Sequence, residues 1–166
     1  MLKLKHDPCD VSRCGESDFV VSYDKAPWLE VMSTDGSVRH KFRQTGATSH
    51  FKYPNYLTTS VDGHIYVSDM LTNKITQLNS SLQVLKIFSS SLLRSPQGII
   101  SISPDQLLVC SYKNHSIVLL NTSTGESSIL LGKQDGIERP RCRSYCSEQK
   151  KLYVTQAGGL KVYILS

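Results

Sequence analysis

The 166-residue sequence has no apolar run of about 18 residues, so nothing in it reads as a membrane-spanning helix. Met1 to Pro8 is too short and too lysine-rich to hold the apolar segment of a secretory leader, which predicts an intracellular, cytoplasmic chain. No C-x2-C pair occurs, which removes the usual zinc knuckle. The H-E-x-x-H, G-x-S-x-G and Walker patterns are also absent, and with them the commonest sequence-readable catalytic sites. Nowhere do apolar residues recur at i, i+3, i+4 and i+7 through several turns, so almost no helix is expected. Tryptophan occurs once, as Trp28, which is expected to pack between the first and second repeat units described below.

Cysteine is present but odd in number: Cys9, Cys14, Cys110, Cys142 and Cys146. An odd set without an export signal predicts reduced thiols that pack as small hydrophobes rather than a disulfide frame. The lesser alternative is a metal cluster drawn from Cys9, Cys14, Cys142 and Cys146 with His6, although neither cysteine spacing is that of a zinc knuckle.

What the sequence does contain is a repeat. Val21, Val67, Val109 and Val154 each sit in a strand-like run, and each is followed eight residues later by an apolar residue that opens another run: Leu29, Ile75, Ile117 and Val162. Pro8, Pro54 and Pro96 stand thirteen residues before the first three valines, and Pro140 stands fourteen before the last. Successive valines are 46, 42 and 45 residues apart, a period that belongs to propeller blades rather than to helical pairs. Runs such as Ile65 to Ser68, Leu107 to Cys110 and Leu152 to Thr155 are β-branched or aromatic and bounded by turn residues such as Asp62-Gly63.

Each unit divides into four segments. In the second these are Tyr56 to Thr59, Ile65 to Ser68, Ile75 to Leu78 and Val84 to Phe88. The third repeats the plan over Gly98 to Ile102, Leu107 to Ser111, Ile117 to Leu120 and Ser127 to Leu131, and the first over Asp10 to Arg13, Phe19 to Ser22, Leu29 to Met32 and Val38 to Phe42. The fourth offers three, and Leu2 to Lys5 alternates apolar and polar residues as a strand completing that blade would. The expected architecture is therefore all-β, one domain over 1–166, with four recognisable four-stranded blades at about 6–42, 52–88, 94–131 and 138–166 plus 1–5. It is either part of a six-bladed ring or a small closed ring.

The stretch Tyr53-Pro54-Asn55-Tyr56-Leu57, Asp62-Gly63-His64-Ile65-Tyr66-Val67-Ser68-Asp69 and Asn73-Lys74-Ile75 resembles an NHL repeat. Ser95-Pro96-Gln97-Gly98-Ile99, Asp105 to Val109 and Asn114 to Ile117 are similar. The ending, Leu152-Tyr153-Val154 through Leu160 to Ile164, resembles the C-terminus of tripartite-motif NHL proteins. The resemblance implies a non-catalytic docking propeller that recognises a protein, as substrate or adaptor binding in an E3 ubiquitin-ligase context, or alternatively single-stranded RNA. It implies no cofactor, no small-molecule substrate and no membrane. Some similar propellers are metal-dependent hydrolases or lyases. The inner segments here offer Asp10 together with Thr58, Thr59, Ser101, Arg141, Arg143 and Ser144, which do not form a ligand cage, so this third reading ranks last.

Charge placement bears on the first two. In a four-stranded blade the D-to-A and B-to-C connections share one face. There fall Lys5, Lys25, Arg43, Lys52, Lys74, Arg94, Lys113, Lys133 and Arg139, nine cations against five carboxylates, whereas the opposite face is acidic. A basic face attracts an acidic partner in a salt-dependent way. The candidate partner-binding residues are Lys25, Arg43, Lys52, Tyr53, Lys74, Arg94, Lys113 and Arg139. Phe51, Tyr53, Tyr23 and Tyr112 lie among these cations in sequence, where they either stack bases or cover the core. Asp69 and Asn73 are expected to bond loop backbone. Arg141 and Arg143 are candidates for the channel mouth.

Overall fold

The computed structural model describes residues 4, 6–24, 26–42 and 50–165, excepting the side chains of 142 and 143. It contains four antiparallel meanders. The first comprises β1 (Pro8–Arg13), β2 (Asp18–Tyr23), β3 (Leu29–Ser33) and β4 (Val38–Phe42). The second comprises β5 (Pro54–Thr59), β6 (Ile65–Asp69), β7 (Lys74–Leu78) and β8 (Val84–Ser89), and the third β9 (Pro96–Ser103), β10 (Gln106–Ser111), β11 (Ser116–Asn121) and β12 (Ser127–Leu131). The fourth comprises β13 (Arg141–Cys146), β14 (Lys151–Gln156) and β15 (Gly159–Ile164). Helical structure among the described residues is limited to one 3-10 turn, Lys133–Asp135.

The repeated prolines have a mechanical role. Pro8, Pro54 and Pro96 open the innermost strands and stand opposite Tyr23, Asp69 and Ser111. The first position of a strand tolerates the missing N–H. Pairing then slips: Cys9 is bulged between Pro8 and Asp10, Asn55 between Pro54 and Tyr56, and the third sheet slips between Val109 and Ser111. A bulge takes a residue out of the ladder, so its carbonyl needs another donor. The preceding sheet supplies it. Ser22 donates to the Asn55 carbonyl at 2.8 Å, and Ser68 donates to the Gln97 carbonyl at 2.7 Å.

Sheet faces alternate by residue, and consecutive sheets bury their facing sides against each other. Val20, Leu29 and Val31 meet Leu57, Ile65, Val67 and Leu78 between the first two sheets. Tyr66, Ile75 and Phe88 meet Ile99, Leu107, Val109 and Val118 between the next two. Leu108, Cys110 and Ile117 meet Ile137, Leu152 and Val154 between the third and fourth. The innermost strands follow one another in space, β1 against β5, β5 against β9 and β9 against β13, while β13 does not pack back on β1 to that extent. The four sheets form an arc.

The two ends of the arc differ. On the outward side of the first sheet, Val21, Tyr23, Ala26 and Met32 are covered by Leu4, Phe19 and Trp28. Trp28 thus lies on the side away from the second sheet, contrary to its expected place between the first two units. Leu29 turns inward, and strand alternation sends its neighbour the other way. Glu30 is on the same side, 8% exposed, and accepts from the Tyr23 hydroxyl at 2.5 Å and from Lys41 Nζ at 2.6 Å. Burial alone would raise the Glu30 carboxyl, but the hydrogen bonds from Lys41 and Tyr23 outweigh it and hold the group below its usual range. On the outward side of the fourth sheet, Leu160, Val162 and Ile164 alternate along β15 and are 61%, 49% and 77% exposed.

Residues 1–3 and 5, which carry the expected N-terminal strand, lie outside the described residues, and Leu4 packs against the first sheet. Among the described residues the last sheet has three strands. The cysteines divide. Cys9, Cys14 and Cys146 are thiols, whereas Cys110 is disulfide-bonded, which corrects the expectation of an entirely reduced set. Cys110 occupies the repeat position of Ser22 and Ser68, where the first two sheets reach across to a neighbour.

Candidate functional site

The two sets of connections assigned to one face do meet. The Met70 N–H donates to the Tyr53 carbonyl at 3.3 Å, Lys113 N–H to Arg94 at 3.1 Å and Ala157 N–H to Glu138 at 3.2 Å, so each B-to-C loop is bonded to the D-to-A loop of its own blade. Side chains add a second set of bonds, all from the residue two beyond the repeat valine. Asp69, fully buried, accepts from the Lys52 and Tyr53 N–H groups at 2.6 and 3.1 Å and from Leu71 and Thr72, each at 3.0 Å. Ser111 Oγ accepts from the Arg94 N–H at 2.9 Å and donates to the Leu92 carbonyl at 2.7 Å. Gln156 accepts from Glu138 N–H at 3.1 Å and donates to Gly136 at 3.0 Å.

Two further contacts tie neighbouring blades. Asn73 Oδ1 accepts from Ser95 N–H at 2.7 Å, and His115 Nδ1 accepts from Arg139 N–H at 3.4 Å. Asn73 and His115 occupy matching turns and both have positive φ, 57° and 52°. The expected roles of Asp69 and Asn73 are met. Those of Ser111, Gln156 and His115 are legible only when the two positions after Val109 and Val154, and the turn that follows, are aligned with the second repeat.

On this scaffold Lys52, Lys74, Arg94, Lys113 and Arg139 are exposed, and none forms an ion pair with a described carboxylate. Lys25 and Arg43 lie outside the described residues, as does the side chain of Arg143. The aromatics are mostly committed elsewhere. Phe51 is fully buried between the first two sheets and packs on Phe42, with ring centroids 5.0 Å apart. Tyr23, which lies among the loop cations in sequence, ends β2 and is buried. The Tyr53 hydroxyl donates to Asp24 at 2.7 Å, a bond that raises its pKa because the neutral phenol is the donor. Tyr112 remains half-buried beneath the Arg141 guanidinium, 5.6 Å from its ring centroid.

That last pair belongs to a recess of about 450 Å³ lined by Tyr112, Arg139, Arg141, Thr155, Gln156 and Ala157. Arg141, placed at the channel mouth by its sequence position, lies in it. A separate cavity of about 330 Å³ occupies the concave side of the arc, with Asp10, Tyr56, Thr58, Gly98 and Ser144 among the residues that line it. Asp10 Oδ2 accepts the Leu57 N–H at 3.1 Å there, and its other oxygen accepts from Val11. Among the described residues no three His, Cys, Asp or Glu side chains converge as a metal site.

No family model matches the chain, and no curated protein matches it. Solved structures do. The structure of U3-55K superposes with a TM-score of 0.78 at 16% identity, over 98% of this chain and 50% of that one. The RRP9 WD40 repeats give 0.78 at 15% identity, over 98% and 49%. A virginiamycin B lyase from Staphylococcus aureus, solved with quinupristin, gives 0.69 at 17% identity, over 94% and 55%. The chain thus spans about half the length of the solved propellers to which it is similar, and at these identities the likeness is one of fold. The chain has a β-propeller fold.

Proposed function

We propose that residues 1–166 form one NHL-type propeller domain, with blades at about 6–42, 52–88, 94–131 and 138–166 plus 1–5, that serves as a non-catalytic docking module. Its partner is a protein with an acidic surface, bound as substrate or adaptor in a tripartite-motif ubiquitin-ligase setting, and its compartment is the cytoplasm. The observation that carries the reading is the latched basic face. Asp69, Ser111 and Gln156 hold the D-to-A loops in place, and the cations those loops and their neighbours carry are left exposed without carboxylate partners among the described residues. A surface of net positive charge, presented on latched loops, favours encounter with an acidic partner and loses strength as salt rises.

Protein is preferred to single-stranded RNA because the stacking platform that RNA needs is occupied. Phe51 and Tyr23 are in the core, Tyr53 is bonded to Asp24, and Tyr112 is covered by Arg141. Fold alone does not select a function, since propellers of this kind are shared by WD40 repeats and a lyase. The test is affinity capture from RNase-treated lysate with three proteins: the unaltered chain, a Lys52→Glu/Arg94→Glu/Lys113→Glu variant, and a Lys150→Glu control. Partners retained by the unaltered chain and the control but lost by the triple variant support the reading. Capture that vanishes on RNase treatment, or that survives the triple reversal, refutes it.

A further inference from the structure

We infer that the recess between the third and fourth blades is an anion pocket that seats one acidic side chain of the docking protein, a carboxylate or a phosphorylated hydroxyl, between Arg139 and Arg141. The inference rests on the docking reading and gives it a specific contact. The recess draws on three segments: Tyr112 follows β10, Arg139 and Arg141 bracket Pro140, and Thr155, Gln156 and Ala157 form the end of β14 and the turn beyond it.

The segments are fixed by bonds that leave both guanidinium groups without a hydrogen-bond or carboxylate partner among the described residues. Arg139 spends its backbone N–H on His115, Arg141 spends its carbonyl on the Thr155 hydroxyl, and Ala157 is bonded to Glu138. Both arginines are exposed, and neither pairs with a described carboxylate. Glu138, adjacent to Arg139 in sequence, lines a different recess with His115, Lys133 and Lys161, so among the described residues no carboxylate lines the pocket itself.

Tyr112 decides the ligand chemistry. Its ring already carries the Arg141 guanidinium, a cation–π contact that holds the planar fork in one orientation. A pre-oriented fork suits the two oxygens of a carboxylate or phosphate, which guanidinium binds by parallel charge-assisted hydrogen bonds. A base seeking the same ring would have to displace the arginine. The Gln156 amide is tied to Glu138 and Gly136 and so acts as wall rather than as a free donor.

Three otherwise identical hexapeptides with Ser, Glu or phosphoserine at one position, titrated into the 15N-labelled chain, test the pocket. Backbone amide shifts at Tyr112, Arg139, Arg141, Gln156 and Ala157 are expected with the Glu or the phosphoserine peptide and not with the Ser peptide, and the stronger of the two charged peptides identifies the source of the anion. Arg141→Gln and Arg139→Gln are each expected to weaken binding about tenfold or more, and Arg141→Lys to weaken it less because charge survives while the fork does not. The amide spectrum elsewhere reports whether each variant is folded. Equal shifts from the Ser peptide, no shifts at all, or affinity unchanged in both glutamine variants would overturn the pocket. A U8 RNA oligomer that produces the same shifts at lower concentration than any peptide also overturns it. Capture that still depends on Lys52, Arg94 and Lys113 after such a result leaves the docking reading standing and removes only the pocket.

Discussion

At the scale of single residues, the two side chains immediately after the repeat valine of the second blade divide the work, one serving the next blade and one the blade's own loops. Ser68 reaches the Gln97 carbonyl of the following sheet and Asp69 accepts four N–H groups of its own. Ser68→Ala strands a buried carbonyl, at a cost of about 1–3 kcal/mol. Asp69→Ala strands four donors and should cost more, about 3 kcal/mol or above. Urea unfolding of the two variants measures both, and losses within about 0.5 kcal/mol of zero would show that solvent or relaxed loops replace the bonds. Cys14 makes a different kind of prediction. Burial, with the Asp18 carboxylate adding to it, lifts its thiol to about 11. Only the thiolate is nucleophilic, so at pH 8 Cys14 should react with iodoacetamide about 100-fold more slowly than an exposed cysteine, and its rate should still be climbing as pH passes 10. Peptide mapping of alkylation against pH decides this, a Cys14 rate that levels off near pH 9 being the contrary result.

At the scale of elements, the same residue type has opposite worth on the two sides of the last sheet. Val154 is fully buried against the third sheet, whereas Val162, on the neighbouring strand and facing the other way, is half exposed. Threonine preserves β-branching, so Val→Thr isolates burial from strand preference. Val154→Thr places a hydroxyl in an apolar interface and should cost about 1–3 kcal/mol, while Val162→Thr should stay within about 0.5 kcal/mol. Thermal unfolding of the pair reads the difference, and equal losses would mean that the outward side is covered in solution. These elements were legible in sequence because burial on one or both faces of a short strand leaves a period-2 or continuous apolar signature between turn residues. Ser127–Leu131 and Val38–Phe42 fall where the spacing places them, and the inner strands of the first three blades start earlier, at the prolines themselves, with β9 also running one residue further to Ser103. The position of Trp28 was not legible. It depends on which side of a strand faces a neighbour, and a residue one step outside the strand gives no periodicity to fix that. The Arg141–Tyr112 contact was hidden for a related reason, since it joins residues from two blades whose loops meet only after the sheets stack.

At the scale of the whole molecule, stability in a repeat architecture is close to a sum of intrinsic blade terms and nearest-neighbour interfaces, so a blade's place in the arc sets how often it opens. The second and third sheets are packed on both sides: β6 is buried along its whole length and β10 along all but its first residue. Among the described residues the fourth sheet has one covered side, and β15 pairs on one edge with β14 while five of its six residues are exposed. An edge strand with an open face has the least to lose on local opening, and amides there exchange through small fluctuations rather than through global unfolding. Hydrogen–deuterium exchange of the chain should therefore rank the strands: β6 and β10 slowest, β15 fastest among the described strands, with protection differing by about 100-fold or more. The ranking also separates a chain that stands alone from one whose apolar end is occupied. If β15 is as protected as β10, a fourth strand pairs on its free edge or another molecule lies against Leu160, Val162 and Ile164 in solution. Protection that falls on dilution would identify that molecule as a second copy, whereas protection independent of concentration would place a fourth strand of the same chain there.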